Sequence, residues 1–388
     1  MRKYGDAYID LRDIAGYVEI IKHYERGFYF SAAFYNELDK YEKVIFYHYN
    51  LSTQTYNTLV ELDSEMLQSE TNYCMAACFI NEHVLIYPIE SDGILKLIEA
   101  NLQTGTIHTR MIGKYSLEFI CEQFLLLKNE ERLFFYDRNL MTLIEIIDER
   151  LVLSNHYKTE VVKHGGVAYL IFERASMDSY ELEDIYQARI PKEQIYDKGH
   201  LTSINFMPLD DFVREVQSQS QRLSFIVIQA TDYDAASAYI GYDQGWIYYT
   251  RTSFNSKIFT LFAYSIESAV RQTIAEVSYC SYLNSCNLSA GITPRSIVKH
   301  TFLEDGDEIR MYYPKSFTQR GEGREHLLFL GDGVAINDVW DEDDQGENYR
   351  EFVRIRDIDT WDVIEEINCG MELLRDGSTI VLKNAFRF

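Results

Sequence analysis

The sequence predicts an all-β fold built from repeated units of short antiparallel strands, and two observations carry this prediction. The 388 residues include 30 Tyr and 22 Phe but only 5 Pro, and aromatic side chains suit the half-buried surface of a pleated sheet. A strand–turn–strand phrase also recurs with changed wording, as in LRDI at residues 11–14 and IRDI at residues 355–358. A repeated supersecondary unit is typical of solenoids and ring-like arrays.

The recurring phrase has an apolar residue at its centre and turn-forming neighbours on both sides. Asn, Asp, Ser and Gly at such points form turns through side-chain-to-backbone hydrogen bonds or through positive φ. Apolar runs flank the turns, for example at residues 44–47 and 133–136, and predict strands. The predicted centres are Ile14, Leu51, Leu102, Leu140, Ile190, Ile266 and Ile358.

The spacing of these centres predicts the size of the unit. Successive centres lie 37, 51, 38, 50, 76 and 92 residues apart, and joining the two termini gives an interval of 44. A four-stranded propeller blade takes about 40–45 residues. The spacing therefore predicts a seven-bladed β-propeller of four-stranded antiparallel blades, with an eighth blade inside the 92-residue interval as the alternative.

The two ends of the chain complete the prediction. Apolar runs at residues 371–374 and 379–382 are joined by a segment containing Asp376-Gly377, which is a strong hairpin signal. No further copy of the phrase follows them, and no strands precede the first copy at residues 8–21. We therefore expect one composite blade with inner strands from the C-terminus and outer strands from the N-terminus, which would remove the open sheet edges.

The two long intervals predict insertions in a single domain spanning residues 1–388. Apolar residues at 209, 212, 213 and 216 have helical spacing, so residues 207–222 are predicted to contain a short helix. Residues 314–350 are rich in glycine and acidic side chains and are predicted to form a long loop. Such insertions would project from one face as recognition loops.

At this level the chain resembles the β-propeller superfamily, including the WD-repeat proteins, over its whole length. The resemblance is architectural, because Trp340-Asp341 and Trp361-Asp362 are isolated and the Gly-His and Trp-Asp signatures of WD repeats do not recur. The resemblance implies a rigid ring with a central channel and broad rims. It implies no particular catalytic residues.

Charge and cysteine usage narrow the function classes. The formal net charge is −24, which opposes nucleic-acid binding and docking on an anionic membrane. Six cysteines are scattered without a CxxC pair, which indicates reduced thiols and a cytoplasmic protein rather than a disulfide framework or a zinc module. No phosphate-binding loop, nucleophile elbow or His-Glu-x-x-His motif occurs, so no cofactor is predicted.

One acidic segment is a candidate calcium loop. Asp341, Asp343, Gln345 and Gly346 match the first half of an oxygen-rich loop, and Asp338 lies just before it. Ca²⁺ takes six to eight oxygen ligands. The expected bidentate Glu at the twelfth position is replaced by Phe352, so a solvated acidic loop is the simpler interpretation.

Three functions follow from this reading, in order of preference. The first is a non-enzymatic cytoplasmic scaffold that binds an unidentified protein partner. The second is a hydrolase or lyase with a carboxylate-lined, calcium-dependent or calcium-independent site at the central channel. Such a site would bring carboxylates together with His or Arg and would perturb at least one pKa. The third is a carbohydrate-binding propeller lined by aromatic residues. The sequence selects no catalytic residues among the 61 Asp and Glu.

Overall fold

The structure is a computed structural model of the chain. It describes residues 8–24, 26–35, 41–67, 78–91, 93–130, 132–152, 155–175, 202–231, 235–253, 256, 258–278, 288–289, 297–301, 308–313, 317–320, 324–331, 334–342, 349–357, 359–373 and 380–384. The chain divides into two compact units. Unit 1 comprises Met1–Phe124, Glu304–Asp307 and Gly321–Phe388, and unit 2 comprises Leu125–Leu303 and Glu308–Arg320.

Unit 1 holds four sheets. The first orders β1 (Tyr8–Asp10), β31 (Ile380–Lys383) and β30 (Gly370–Leu373). The second runs through β2 (Tyr17–Tyr24), β3 (Gly27–Tyr35), β4 (Tyr41–Asn50) and β5 (Thr55–Asp63). The third is β6 (Phe79–Ile80), β7 (Val84–Ser91), β8 (Ile94–Asn101) and β9 (Thr106–Gly113). The fourth is β26 (Arg324–Gly331), β27 (Val334–Glu342), β28 (Tyr349–Asp357) and β29 (Val363–Ile367).

The remaining sheets have four strands each. One orders β10 (Ser116–Ile120), β11 (Phe124–Asn129), β12 (Arg132–Asp137) and β13 (Thr142–Ile146). The next is β14 (Asn155–His164), β15 (Val167–Ala175), β16 (Thr202–Pro208) and β17 (Ile226–Thr231), followed by β18 (Ala235–Asp243), β19 (Trp246–Ser253), β20 (Ile258–Ser265) and β21 (Arg271–Ser278). The last is β22 (Leu288–Ser289), β23 (Ile297–Thr301), β24 (Glu308–Tyr313) and β25 (Phe317–Arg320).

These repeated antiparallel sheets confirm the predicted all-β propeller fold class. The described residues form eight sheets, whereas the phrase spacing favoured seven units. The additional sheet, β22–β25, lies in the 92-residue interval that the alternative prediction had named. The count of turn phrases did not include this sheet. Only residues 314–316 (PKS) separate β24 from β25 in the sequence, and this segment is too short to contain the phrase.

The recurring phrase is the turn between the third and fourth strands of a sheet. The side chains of Asn50, Asn101, Asp137 and Asp357 each accept hydrogen bonds from the backbone N–H groups two and three residues later, at 2.9–3.2 Å. Four residues after each of these acceptors the backbone has positive φ, at Gln54, Gly105, Met141 and Trp361. The turn chemistry predicted from composition is therefore present. The predicted centre Leu140 is two residues out of step with the other copies.

The copies at Ile14 and Ile190 differ from the rest. Ile14 lies between β1 and β2, which belong to different sheets. Ile190 lies outside the described residues. In the sheet β14–β17 the tight turn is replaced by helix α3 (Leu209–Gln217), which lies within residues 207–222, where the sequence predicts a short helix. Two four-residue helices, α1 (Ser64–Leu67) and α2 (Glu149–Val152), follow β5 and β13.

The predicted long loop at residues 314–350 is largely sheet. It contains β25, β26 and β27 and the first residues of β28. Short apolar runs at residues 327–330 (LLFL) and 334–336 (VAI) favour strands within this charged and glycine-rich span. The remaining residues of this span lie outside the described part of the chain.

The two termini share one sheet. β1 pairs with β31 in parallel, with Ile9 opposite Val381, and β31 pairs with β30 in antiparallel. The composite arrangement is therefore as predicted, but the N-terminus contributes one strand to it. The second N-terminal strand, β2, begins the next sheet, because the turn after β1 directs the chain away from β31.

Candidate functional site

The residues of the predicted calcium loop are only partly described. Asp338 and Asp341 lie in strand β27, where Asp338 pairs with Val353 and Asp341 pairs with Arg350. Asp343 and Gln345 lie outside the described residues. Among the described residues, no group of three or more His, Cys, Asp or Glu side chains could hold a metal ion. The calcium loop stays a prediction.

A cluster of polar side chains lies in unit 2, where strand β18 packs beside β14 and β15. Lys158 and Glu173 are directly opposite each other on β14 and β15. Cross-strand partners share one face of a sheet. Glu160 lies two residues after Lys158 on β14 and therefore on the same face. Two carboxylates and one ammonium group thus line one side of this sheet.

Tyr239 of β18 links these groups. Its backbone N–H donates a hydrogen bond to Glu173 Oε2 (2.8 Å), and its hydroxyl donates one to Glu160 Oε2 (2.6 Å). Lys158 Nζ donates a hydrogen bond to the backbone oxygen of Ile240 (2.6 Å) and lies 5.0 Å from the centroid of the Tyr239 ring. These contacts place Lys158, Glu160 and Glu173 around one tyrosine.

A β-bulge creates part of this geometry. Tyr239 pairs with Tyr249 and Gly241 pairs with Tyr248, so Ile240 is an extra residue in β18. A second bulge precedes Lys158 on β14, where Tyr157 is the extra residue. Bulges bend a strand locally and re-aim its groups. The carbonyl of Ile240, the extra residue of the bulge, accepts the hydrogen bond from Lys158 Nζ.

Burial makes the carboxyl group of Glu173 a weaker acid than an exposed glutamate. The residue is 8% exposed. Burial raises the pKa of Glu173 to about 6, although the Tyr239 N–H and the charge of Lys158 both favour the ionised carboxylate. Desolvation outweighs them because an ionised carboxylate loses more hydration than these two partners restore. A carboxyl group with this pKa exists in both forms near neutral pH and can donate or accept a proton.

Sequence reasoning missed these residues. Glu173 and Tyr239 are 66 positions apart, and their meeting depends on the register of two different sheets. The available signal was Glu173 itself, a charged residue at the end of the apolar run at residues 167–172. It did not distinguish this glutamate from the others in the chain.

Comparisons with known proteins show the fold. No family model and no curated protein matches the chain. A prolyl endopeptidase matches 90% of the chain at 9% identity with a TM-score of 0.46. Oligopeptidase B from Trypanosoma brucei matches 92% at 7% identity and a TM-score of 0.44. The β-propeller domain of the Trilobed protease from Pyrococcus furiosus matches 90% at 10% identity and a TM-score of 0.40.

These similarities cover different shares of the solved structures. The chain spans about half the length of the endopeptidase and oligopeptidase chains, 49% and 51%, but 98% of the Trilobed protease propeller domain. The solved structures are mostly peptidases. This finding contradicts the prediction of a non-enzymatic interaction scaffold.

Two further findings bear on the environment of the protein. Cys78, Cys121 and Cys369 are free thiols. In the part of the chain that the structure describes, no helix has the length and apolar character needed to cross a bilayer. The expected binding of a protein partner, and the expected lack of binding to nucleic acid and membranes, stay predictions.

Proposed function

We propose that the protein is a hydrolase or lyase in which Glu173 acts as the general acid–base group. The observation that carries the proposal is a buried carboxyl group whose pKa is raised to about 6, set beside Lys158 and the Tyr239–Glu160 pair. A carboxyl group with a pKa shifted towards neutral pH by burial is what an acid–base site requires.

The surrounding residues suit this role. Protonated Glu173 can protonate a leaving group, and the ionised form can accept a proton from water or from a carbon acid. Lys158 supplies a positive charge that stabilises negative charge developing on the substrate. Glu160 holds the Tyr239 hydroxyl and thereby fixes the ring that lies against Lys158. Glu160 and Tyr239 are positioning groups in this scheme, and Glu173 and Lys158 are the catalytic residues.

The test is the pH dependence of turnover in wild type and in E173Q. A panel of peptide, ester, glycoside and uronide substrates is assayed from pH 5 to 8. We expect the wild-type profile to have a limb near pH 6, and E173Q to lose about 100-fold or more in kcat together with that limb, since a positioned acid–base group contributes about 10²–10⁴-fold.

The matched control is E276Q, which neutralises an exposed glutamate on β21 of the same unit. Its rate and profile should equal those of the wild type. Wild-type protein that turns over none of the four substrate classes, or an E173Q variant that keeps the limb near pH 6, would overturn the proposal.

The free thiols of Cys78, Cys121 and Cys369 are the observation behind our further proposal that this enzyme works in the reducing environment of the cytoplasm.

A further inference from the structure

A second polar cluster of unit 2 lies on the other face of the sheet that carries Glu173. Arg174 follows Glu173 on β15, and neighbouring residues of a strand point to opposite faces. Arg174 Nε donates a hydrogen bond to Ser203 Oγ (2.7 Å), and Nη1 donates one to the backbone oxygen of Arg150. The surroundings of Arg174 are therefore separate from those of the proposed acid–base group.

Arg150 is the second guanidinium of this cluster. Its Nε and Nη2 donate to the two carboxylate oxygens of Asp148 at 3.0 and 2.6 Å, and Nη2 also donates to the backbone oxygen of Leu223 (2.8 Å). Asp148 is 3% exposed on its side chain and also accepts a hydrogen bond from the Leu223 N–H. This bidentate pair commits the charge of Asp148 to Arg150.

Both guanidinium groups lie on one aromatic ring. The Cζ atoms of Arg150 and Arg174 are 4.0 and 5.8 Å from the centroid of the Phe225 ring. Phe172 packs edge-on against the same ring, with centroids 5.4 Å apart. The ring holds the two cations close together at the end of the sheet.

Among the described residues, Arg174 has no carboxylate of its own as a hydrogen-bond partner. Both hydrogen-bond acceptors of its guanidinium, Ser203 Oγ and the backbone oxygen of Arg150, are neutral, and among the described residues Nη2 has no acceptor. Burial, followed by the charge of Arg150, lowers the pKa of Arg174, and Asp148 only partly offsets them. Partly buried cations in proteins are normally paired. Within the described part of the chain, the cluster therefore holds two guanidinium groups and one carboxylate, in a protein whose net charge is −24.

We propose that Arg174, with Arg150 beside it, binds the oxyanion of a small carboxylate or phosphate compound. A guanidinium presents parallel N–H donors that match the two oxygens of such a group. The strongly acidic chain repels large polyanions, which restricts the ligand to a small molecule.

The experiment is isothermal titration of the full chain with sodium acetate and with inorganic phosphate, at pH 7.5 and at a constant ionic strength set with sodium chloride. We expect one saturable site for at least one of the two anions. R174Q should weaken it by about tenfold or more, because a charge-assisted bidentate contact is lost. The stronger of the two anions identifies the ligand as a carboxylate or a phosphate.

R271Q is the matched control. Arg271 also lies over an aromatic ring of unit 2, with Cζ 5.1 Å from the Phe262 centroid, and its loss should leave the affinity unchanged. R174K keeps the charge without the planar fork and should bind phosphate more weakly than the wild type and acetate hardly at all.

Three results would overturn the proposal: no saturable heat with either anion up to about 10 mM, full affinity in R174Q, or an equal loss in R271Q. If R174Q proves unfolded by circular dichroism, R174K decides, because full binding of both anions by R174K would also refute a guanidinium site.

Discussion

Glu173 shows how one buried residue can make the stability of the fold depend on pH. Its backbone position on β15 is ordinary, and its burial follows from β18 packing over it. The Tyr239 N–H and the charge of Lys158 partly stabilise the ionised carboxylate. They do not fully offset the loss of hydration that burial causes. Natural active sites often hold such costly groups, because the reaction requires them.

The pH dependence of stability tests this effect of burial. The pKa of Glu173 rises from 4.5 in the unfolded chain to about 6 in the fold, so its contribution is fully favourable below pH 4.5 and is lost as the pH rises through 6. A difference of this size corresponds to about 2 kcal/mol. We expect E173Q, which cannot ionise, to be more stable than the wild type by up to about 2 kcal/mol at pH 7.5.

Urea unfolding at pH 4.5 and pH 7.5 measures the effect. The gain of E173Q over the wild type should be largest at pH 7.5 and should shrink at pH 4.5, where the wild-type carboxyl is largely protonated. E276Q serves again as the control and should show no such pH-dependent gain. A gain that is the same at both pH values would mean that packing, and not ionisation, distinguishes the variant.

At the scale of single elements, the turn between the third and fourth strands was predictable and the polar site was not. The turn is coded locally: an Asx acceptor, two donors and a left-handed residue all lie within five positions, as at Asn101 and Gly105. The site depends on bulges at Tyr157 and Ile240. A bulge is set by pairing across strands, which a single sequence does not display.

The same reasoning explains the missed sheet. β22–β25 carries no turn phrase between β24 and β25, so a count of phrases passes over it. Pairing registers reveal another repeated feature, an extra aliphatic residue in the fourth strand. The extra residues are Leu59, Ile112, Ile228, Ile274 and Ile364. Because their distances from the turn vary, this feature emerges only once the strands are aligned.

The left-handed residue of the turn gives a prediction at this scale. Met141 has a φ of 54° and is 63% exposed, whereas Gly105 occupies the equivalent place in another copy. A side chain in this region costs about 1–2 kcal/mol, partly offset by the greater unfolded-state entropy of glycine. M141G is expected to raise the free energy of unfolding by about 0.5 kcal/mol.

The neighbouring position is the control. Leu140 is 64% exposed, and its φ is not positive, so L140G gains no relief and should lower the free energy of unfolding by about 0.5–1 kcal/mol. Paired urea unfolding curves measure both variants. An equal decrease in the free energy of unfolding of M141G and L140G would show that the positive φ of Met141 does not destabilise this turn.

At the scale of the whole molecule, the union of the termini is the feature that the sequence predicted most directly. Ile9, Leu11 and Ile14 belong to one buried cluster with Val381. The Leu11 N–H donates to the backbone oxygen of Leu382 (2.9 Å), and Asn384 Nδ2 donates to the backbone oxygen of Ile14 (2.6 Å). Hydrophobic contacts and hydrogen bonds therefore join residues about 370 positions apart within unit 1.

Removal of residues 1–14 is expected to destabilise unit 1 as a whole. The deletion strips three buried apolar side chains, each contributing about 1.5–3 kcal/mol, and it leaves β31 with an unpaired edge. The summed contribution of the three side chains is comparable to the total free energy of unfolding of a typical domain, about 5–15 kcal/mol. Hydrogen–deuterium exchange should show loss of protection in β31 and in β2–β5, and gel filtration should show self-association. A second deletion, of residues 1–7, keeps β1 and should retain both the protection and the elution profile of the full chain. Unchanged protection in β31 after removal of residues 1–14 would mean that the C-terminal hairpin holds its place without the N-terminal strand, and that the shared sheet is dispensable to the fold.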